Sequence, residues 1–187
     1  MPPNWTPAWT NELLGFWFIE LQPKQWFEKD LQLDQLMRER FLTAYEETAR
    51  SFVLDHALGS SDAALAHVIL LDQLPRNMFR GTPRAFESDA KALSLATDAV
   101  ARGLDMQVEA VRRTFLYLPF EHSEALADQV RSVELFTALG DVDTLKFARA
   151  HHDIIARFGR FPHRNAILGR PSTPQEIAFL ALPGSGF

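Results

Sequence analysis

The chain contains no cysteine. Disulfides, thiolate metal ligands and a cysteine nucleophile are excluded in one step, and the absence fits a reducing compartment. Strand signals are almost missing. There is no sustained alternation of apolar and polar residues, and no Asn-Gly or Asp-Gly turn of the kind that closes a hairpin. The longest apolar runs, such as Leu13 to Ile19, fall far short of the ~20 residues that cross a bilayer. The start, Met1-Pro2-Pro3-Asn4-Trp5, lacks the basic residues and apolar stretch of a signal peptide. These absences predict a soluble, cytoplasmic protein with no membrane partner. Basic charge is also in deficit. A formal net charge of -5 argues against nucleic-acid binding by bulk electrostatics, but leaves room for a local anion site.

What remains is helical. The 187 residues are 47% hydrophobic, enough for one domain with a sizeable core. Helix punctuation recurs along the chain. Asn11 to Phe18 reads as a short aromatic helix with Thr10 as its cap. Asp34 to about Leu54 carries apolar residues at helical spacing. Ala63 to Leu74 follows the cap candidates Ser60-Ser61-Asp62 and is stopped by Pro75. Thr82-Pro83 opens a helix to Arg102, and Gly103 follows it. A helix from Asp105 to about Tyr117 is ended by Pro119. Ser123 to Leu139 ends at Gly140, with Ser123 as cap, and Asp141 to Phe158 ends at Gly159. Thr173-Pro174-Gln175-Glu176 is a capping box that opens a last short helix. The two-residue links Gly103-Leu104 and Gly140-Asp141 predict antiparallel helical hairpins. The fold class expected is all-α, a single domain of stacked helical hairpins over residues 1–187. It comprises an aromatic N-terminal cap (1–29), the hairpins (30–158) and a basic Pro/Gly loop with a short helix (159–187). Trp5, Trp9, Trp17 and Trp26 all fall in the cap, where burial against the first helices is the expected role.

The densest chemistry lies in Arg157-Phe158-Gly159-Arg160-Phe161-Pro162-His163-Arg164-Asn165 and the following Leu168-Gly169-Arg170. Four arginines and a histidine occur between Asp153 and Glu176 with no acidic residue among them. Two readings compete. In one the arginines neutralise Asp72, Asp89, Glu121 and Glu124, since a buried charge must be paired. In the other they line a pocket for a phosphate or carboxylate, aided by the helix start at Thr173-Pro174. A second such segment is Leu71-Asp72-Gln73-Leu74-Pro75-Arg76-Asn77. Here Pro75 argues against a helical Asp72–Arg76 pair, and Asp72 is read either as a site carboxylate or as a partner for backbone freed at the helix break. A third break, Leu118-Pro119-Phe120, leads into Glu121-His122-Ser123-Glu124. No Gly-x-Ser-x-Gly accompanies Ser123, and His122 and Ser123 are neighbours, so a serine nucleophile is disfavoured. No His-Glu-x-x-His occurs and His151 and His152 are adjacent, so no metal site and no cofactor is expected.

The motifs Phe16-Trp17-Phe18, Trp26-Phe27, Leu70-Leu71-Asp72-Gln73-Leu74-Pro75-Arg76-Asn77-Met78-Phe79-Arg80-Gly81, Leu118-Pro119-Phe120-Glu121-His122-Ser123-Glu124 and the Arg157–Asn165 segment together resemble the uncharacterised, mainly bacterial family catalogued as domain of unknown function 924. The resemblance covers about Asn11 to Leu180. It implies a compact all-helical domain similar to tetratricopeptide-like folds, and it carries no catalytic assignment.

Two functions follow as expectations. The first is a site for a small anionic ligand, with Asp72, Arg76, Arg80, Arg160, Arg164 and Asn165 binding and His122, Glu124 and His163 as acid/base candidates. The second is a tetratricopeptide-like interaction module that takes an acidic peptide or a free C-terminus. The lack of a ~34-residue repeat weighs against the second. The recurrence of chemistry after three proline breaks predicts that Asp72, Arg76, Glu121, His122, Glu124, Arg160, His163 and Arg164 converge.

Overall fold

A computed structural model describes residues 7–184. Among these residues every regular element is helical and none is a strand, as the sequence led us to expect. No helix among them is long and apolar enough to cross a membrane. The described chain forms two compact units, one of residues 7–80 and 84–119, the other of residues 81–83 and 120–184. The main division falls between Pro119 and Phe120.

In the first unit, α1 (Ala8–Gly15) passes directly into a wide π turn, Phe16–Glu20. Thr10 does not cap α1 but is buried within it. α2 (Leu31–Arg50) starts at Asp30, whose carboxylate accepts the Gln32 and Leu33 N–H groups at 2.8 and 3.2 Å. An aspartate here satisfies donors that the first turn leaves open. Leu33, Met37, Phe41, Ala44 and Tyr45 recur every three or four residues on the buried face of α2. A single turn, α3 (Leu54–Ala57), precedes α4 (Ser61–Val68), which Ser60 caps as expected by accepting the Ala63 N–H.

Pro75 does not end this helix. α4 widens into a π turn, Ile69–Gln73, and then resumes as α5 (Leu74–Met78) with Pro75 in its first turn. The Leu74 N–H reaches back five residues to the Ile69 carbonyl, which shifts the ladder just before the proline. Pro75 has no N–H for the Leu71 carbonyl, and the Ser88 hydroxyl supplies the missing donor at 2.5 Å. The Thr82-Pro83 signal marks a short 3-10 turn, Pro83–Phe86, and α6 (Asp89–Ala101) begins later than the sequence suggested. Gly103 adopts the left-handed φ of 69° that favours glycine. It leads into another 3-10 turn, Asp105–Gln107, so no two-residue hairpin forms there. α7 (Ala110–Glu121) then runs through Pro119, beyond the Tyr117 end expected.

The core of this unit is aromatic. Trp17 meets Phe115 edge-on at 5.6 Å and Phe16 packs on Phe41 at 5.3 Å. The Trp26 indole donates to the Trp17 carbonyl at 2.8 Å. These tryptophans are therefore packing residues, as expected; Trp5 lies outside the described residues.

In the second unit, α8 (Leu126–Leu139) and α9 (Val142–Phe158) form the antiparallel hairpin predicted at Gly140. Gly140 takes a φ of 81°, and the Asp141 carboxylate caps α9 through the Asp143 and Thr144 N–H groups. Ser123 precedes α8 without capping it. Its Oγ accepts the Ala125 N–H and donates to Asp128. After α9 comes a 3-10 turn, Pro162–Arg164, and then α10 (Pro174–Leu180). The Thr173/Glu176 capping box is present in both directions, at 3.2 and 2.7 Å. Ile154, Ile155 and fully buried Phe161 form the centre of this packing, with Phe158 and Phe179 against it.

Candidate functional site

The eight residues expected to converge are shared between the units. In the first, Asp72 has no exposed surface and meets Arg76 at 3.3 Å. Arg76 also donates to the Asp72 carbonyl at 2.6 Å and clasps Asp89 with two bonds of 2.9 and 3.0 Å. The i,i+4 pairing judged improbable across Pro75 thus forms, because the π turn keeps the chain helical through the proline. Burial alone would lower the Arg76 pKa, but Asp72 and Asp89 outweigh it and hold it above the ordinary value. Arg80 makes an equivalent two-bond clasp on Asp34, whose Oδ1 also accepts from Asn77. Both arginines therefore already hold carboxylates.

In the second unit the remaining residues form one connected cluster. Glu124 accepts the Phe161 N–H at 2.8 Å and a two-bond clasp from Arg170 at 2.7 and 2.9 Å. Burial pushes its pKa up, but Arg170 and the Phe161 N–H more than offset this, so the carboxyl sits below its ordinary range. Arg170 in turn donates to Asn165 Oδ1 at 3.0 Å, and Asn165 donates to Ser172. Arg160 clasps Glu176 at 2.7 and 2.8 Å, and this pairing, with the Thr173 N–H, draws the glutamate pKa down to about 2. Arg164 is only 6% exposed. It lies over the Phe161 ring at 4.6 Å and donates to the His122 carbonyl at 3.0 Å. His163 packs beside Phe161 at 5.5 Å.

The sequence did not single out His151 for this cluster. It sits on the buried face of α9, with Nδ1 at 2.9 Å from the Phe147 carbonyl and 3.1 Å from Glu121 Oε1. Both partners are acceptors, so Nδ1 carries the proton. Burial lowers the pKa to about 3, the Phe147 bond offsets part of this, and His122, His163 and Arg164 add to the lowering. The ring is therefore neutral near pH 7. Its contact with Glu121 is a hydrogen bond rather than an ion pair, and its lone pair lies on Nε2. Gln129 on α8 closes this end of the cluster, with Nε2 donating to the carbonyls of Glu121 and Ser123 at 2.7 Å each. Among the described residues, no three His, Asp or Glu side chains are placed to hold a metal ion.

The arrangement can do two things chemically. The guanidinium of Arg164, nearly removed from water, provides positive charge in a setting where electrostatic attraction is strong. The adjacent His151 is neutral and held in one tautomer, with its proton on Nδ1. These features define an all-α protein with a buried polar cluster in its second unit. The chain matches the family described as bacterial protein of unknown function (DUF924) over residues 13–184, and it belongs to that family. The solved structure of ATU0120, a protein of unknown function from Agrobacterium tumefaciens, is similar with a TM-score of 0.88 and 42% identity. That match covers 93% of this chain and 97% of the other. No curated protein matches the chain.

Proposed function

We propose that the second unit binds a small anionic molecule, a carboxylate or phosphate, at the cluster of Arg164, His122, His151 and His163. The observation that carries this reading is the burial of Arg164 beside three histidines, which gathers charged and protonatable groups in one place within an acidic protein. Arg76, Arg80 and Arg160 are each more exposed than Arg164 and are clasped to a carboxylate in two bonds. Arg164 and His151, at 6% and 5% exposure, are too deep for a peptide lying on the surface. This depth favours a small ligand over the interaction-module reading.

The test is thermal unfolding of wild type and Arg164→Ala, each with and without inorganic phosphate at matched ionic strength. A ligand that binds only the folded state raises its melting temperature by mass action. Phosphate is expected to raise the wild-type value and to leave the variant where it was. No phosphate-specific shift in wild type, together with a badly destabilised variant, would make Arg164 a structural residue and overturn the reading.

A further inference from the structure

The first unit contains a cleft that the anion reading of the second does not use. Its volume is about 320 Å³, at the low end of the ~300–1,000 Å³ range of small-molecule sites. One wall is the last turns of α2, with Tyr45, Glu46 and Arg50. The other is the approach to α6, with Arg84, Ser88 and Lys91. Both walls belong to the same compact unit. Tyr45 and Ser88, each 2% exposed, form the floor. Ser88 gives its proton to the Leu71 carbonyl, so Tyr45 is the donor in the 3.3 Å contact between the two hydroxyls. Tyr45 also packs on Phe79 at 5.4 Å, which holds the floor in place.

The charges above this floor are divided unevenly. Arg50, Arg84 and Lys91 line the cleft together with Glu46 and Glu87. Each glutamate stands four residues before a cation, Glu46 before Arg50 and Glu87 before Lys91. Glu46 and Arg50 share α2, where this spacing and order favour a pair. Both carboxylates turn to Arg84 instead, Glu46 at 3.1 Å and Glu87 at 3.9 Å. Arg84 lies over the Phe79 ring at 4.0 Å, which fixes the guanidinium that gathers them. The Arg50 side chain makes no hydrogen bond or ion pair with any described residue. Lys91 donates to the Ala49 carbonyl at the end of α2 and meets no described carboxylate. Two cations thus border one concavity without a counter-charge, in a chain whose net charge is -5. A concave surface of this kind focuses its field on small anions.

We infer that this cleft binds a short-chain dicarboxylate, with Arg50 taking one carboxylate and Lys91 the other. The planar fork of Arg50 matches two oxygens of a single carboxylate, whereas Lys91 is a point charge whose remaining donors suit a second one. The cleft holds about ten times the ~30 Å³ share of one water in the liquid, which leaves room for a carbon chain between the two groups. Arg84 is a positioning residue, keeping Glu46 and Glu87 away from the two cations. The site stands apart from the anion reading, whose residues all lie in the second unit.

The experiment is isothermal titration at near-neutral pH and constant ionic strength, with succinate against its monoamide succinamate. The two differ by one negative charge at nearly constant size. Succinate is expected to bind on the order of tenfold more tightly. Arg50 and Lys91 are exposed, so the double variant Arg50→Gln/Lys91→Gln keeps the core intact and should lose this preference. Arg84→Met releases both glutamates toward the cations and should weaken succinate as well, while Arg164→Ala should leave it unchanged. Inorganic phosphate, with a single centre of charge, should not displace succinate; displacement at matched ionic strength would overturn the assignment to a dicarboxylate. Equal affinities for succinate and succinamate, or a preference undiminished in the double variant, would overturn the inference. A preference lost in Arg164→Ala and kept in the double variant would overturn it too, and would support the anion reading of the second unit instead.

Discussion

Replacing Arg76 with methionine is expected to destabilise the protein by about 3–5 kcal/mol, the range for removing one partner of a buried pair. The guanidinium holds Asp72, which has no exposed surface, and Asp89 through bonds of 2.9 and 3.0 Å. Methionine fills much of the same volume but leaves both carboxylates without their cation. Gln73 still donates to Asp72 at 2.6 Å, which places the loss toward the lower end of that range. Arg76→Lys keeps the charge without the planar fork and should fall between wild type and Arg76→Met. The comparison is Arg84→Met, whose partner Glu46 and own side chain are 43% and 48% exposed. That change should cost no more than about 1 kcal/mol. Urea unfolding of the variants measures the differences directly. A loss at Arg76 no larger than that at Arg84 would mean that the first unit does not depend on this ion-pair cluster.

The second large effect is on acid stability. The folded pKa of His151 lies at about 3 against an ordinary 6.5, so the native ring stays neutral while the unfolded one takes up a proton. Below pH 6.5 the unfolded chain therefore binds more protons, and stability falls with pH until the folded ring also titrates near 3. At 1.36 kcal/mol per pH unit, this histidine alone removes about 3 kcal/mol by pH 4. The groups that act on it are Glu121, from the end of α7, and His122, His163 and Arg164. His67 in the first unit, whose pKa is also lowered by burial, contributes in the same direction. Unfolding of wild type and His151→Asn from pH 7 to pH 4 separates the two histidines. The variant should keep only the shallower slope from the rest of the protein. Parallel curves would mean that His151 is not buried as a neutral ring.

The sequence disclosed those features whose causes are local. Asp141 and the Thr173/Glu176 box act within one helical turn, and Gly140 and Gly159 terminate helices through their own backbone. All four could therefore be recognised from a few adjacent residues. Pro75 and Pro119 misled because a proline states only what its own nitrogen cannot do. Whether the chain then breaks depends on the π turn at Ile69–Gln73 and on Ser88, distant in sequence, which supplies the donor that Pro75 lacks. The site shows the same split. Arg164, His122 and His163 stood out because charge gathers in an otherwise acidic chain. His151 did not, because its bond to Glu121 joins residues brought together by folding, and its adjacency to His152 suggested only a poor metal ligand. The clasps of Arg80 on Asp34 and Arg170 on Glu124 are equally long in range. No periodicity announces them.

The claim that Arg164 anchors an anion inside the second unit is tested most directly by soaking crystals of the protein in arsenate, an anomalously scattering analogue of phosphate. The account predicts an anomalous peak within hydrogen-bonding reach of the Arg164 guanidinium. Arsenate found only on exposed lysines and arginines at saturating concentration, with Arg164 enclosed by protein groups alone, would contradict it.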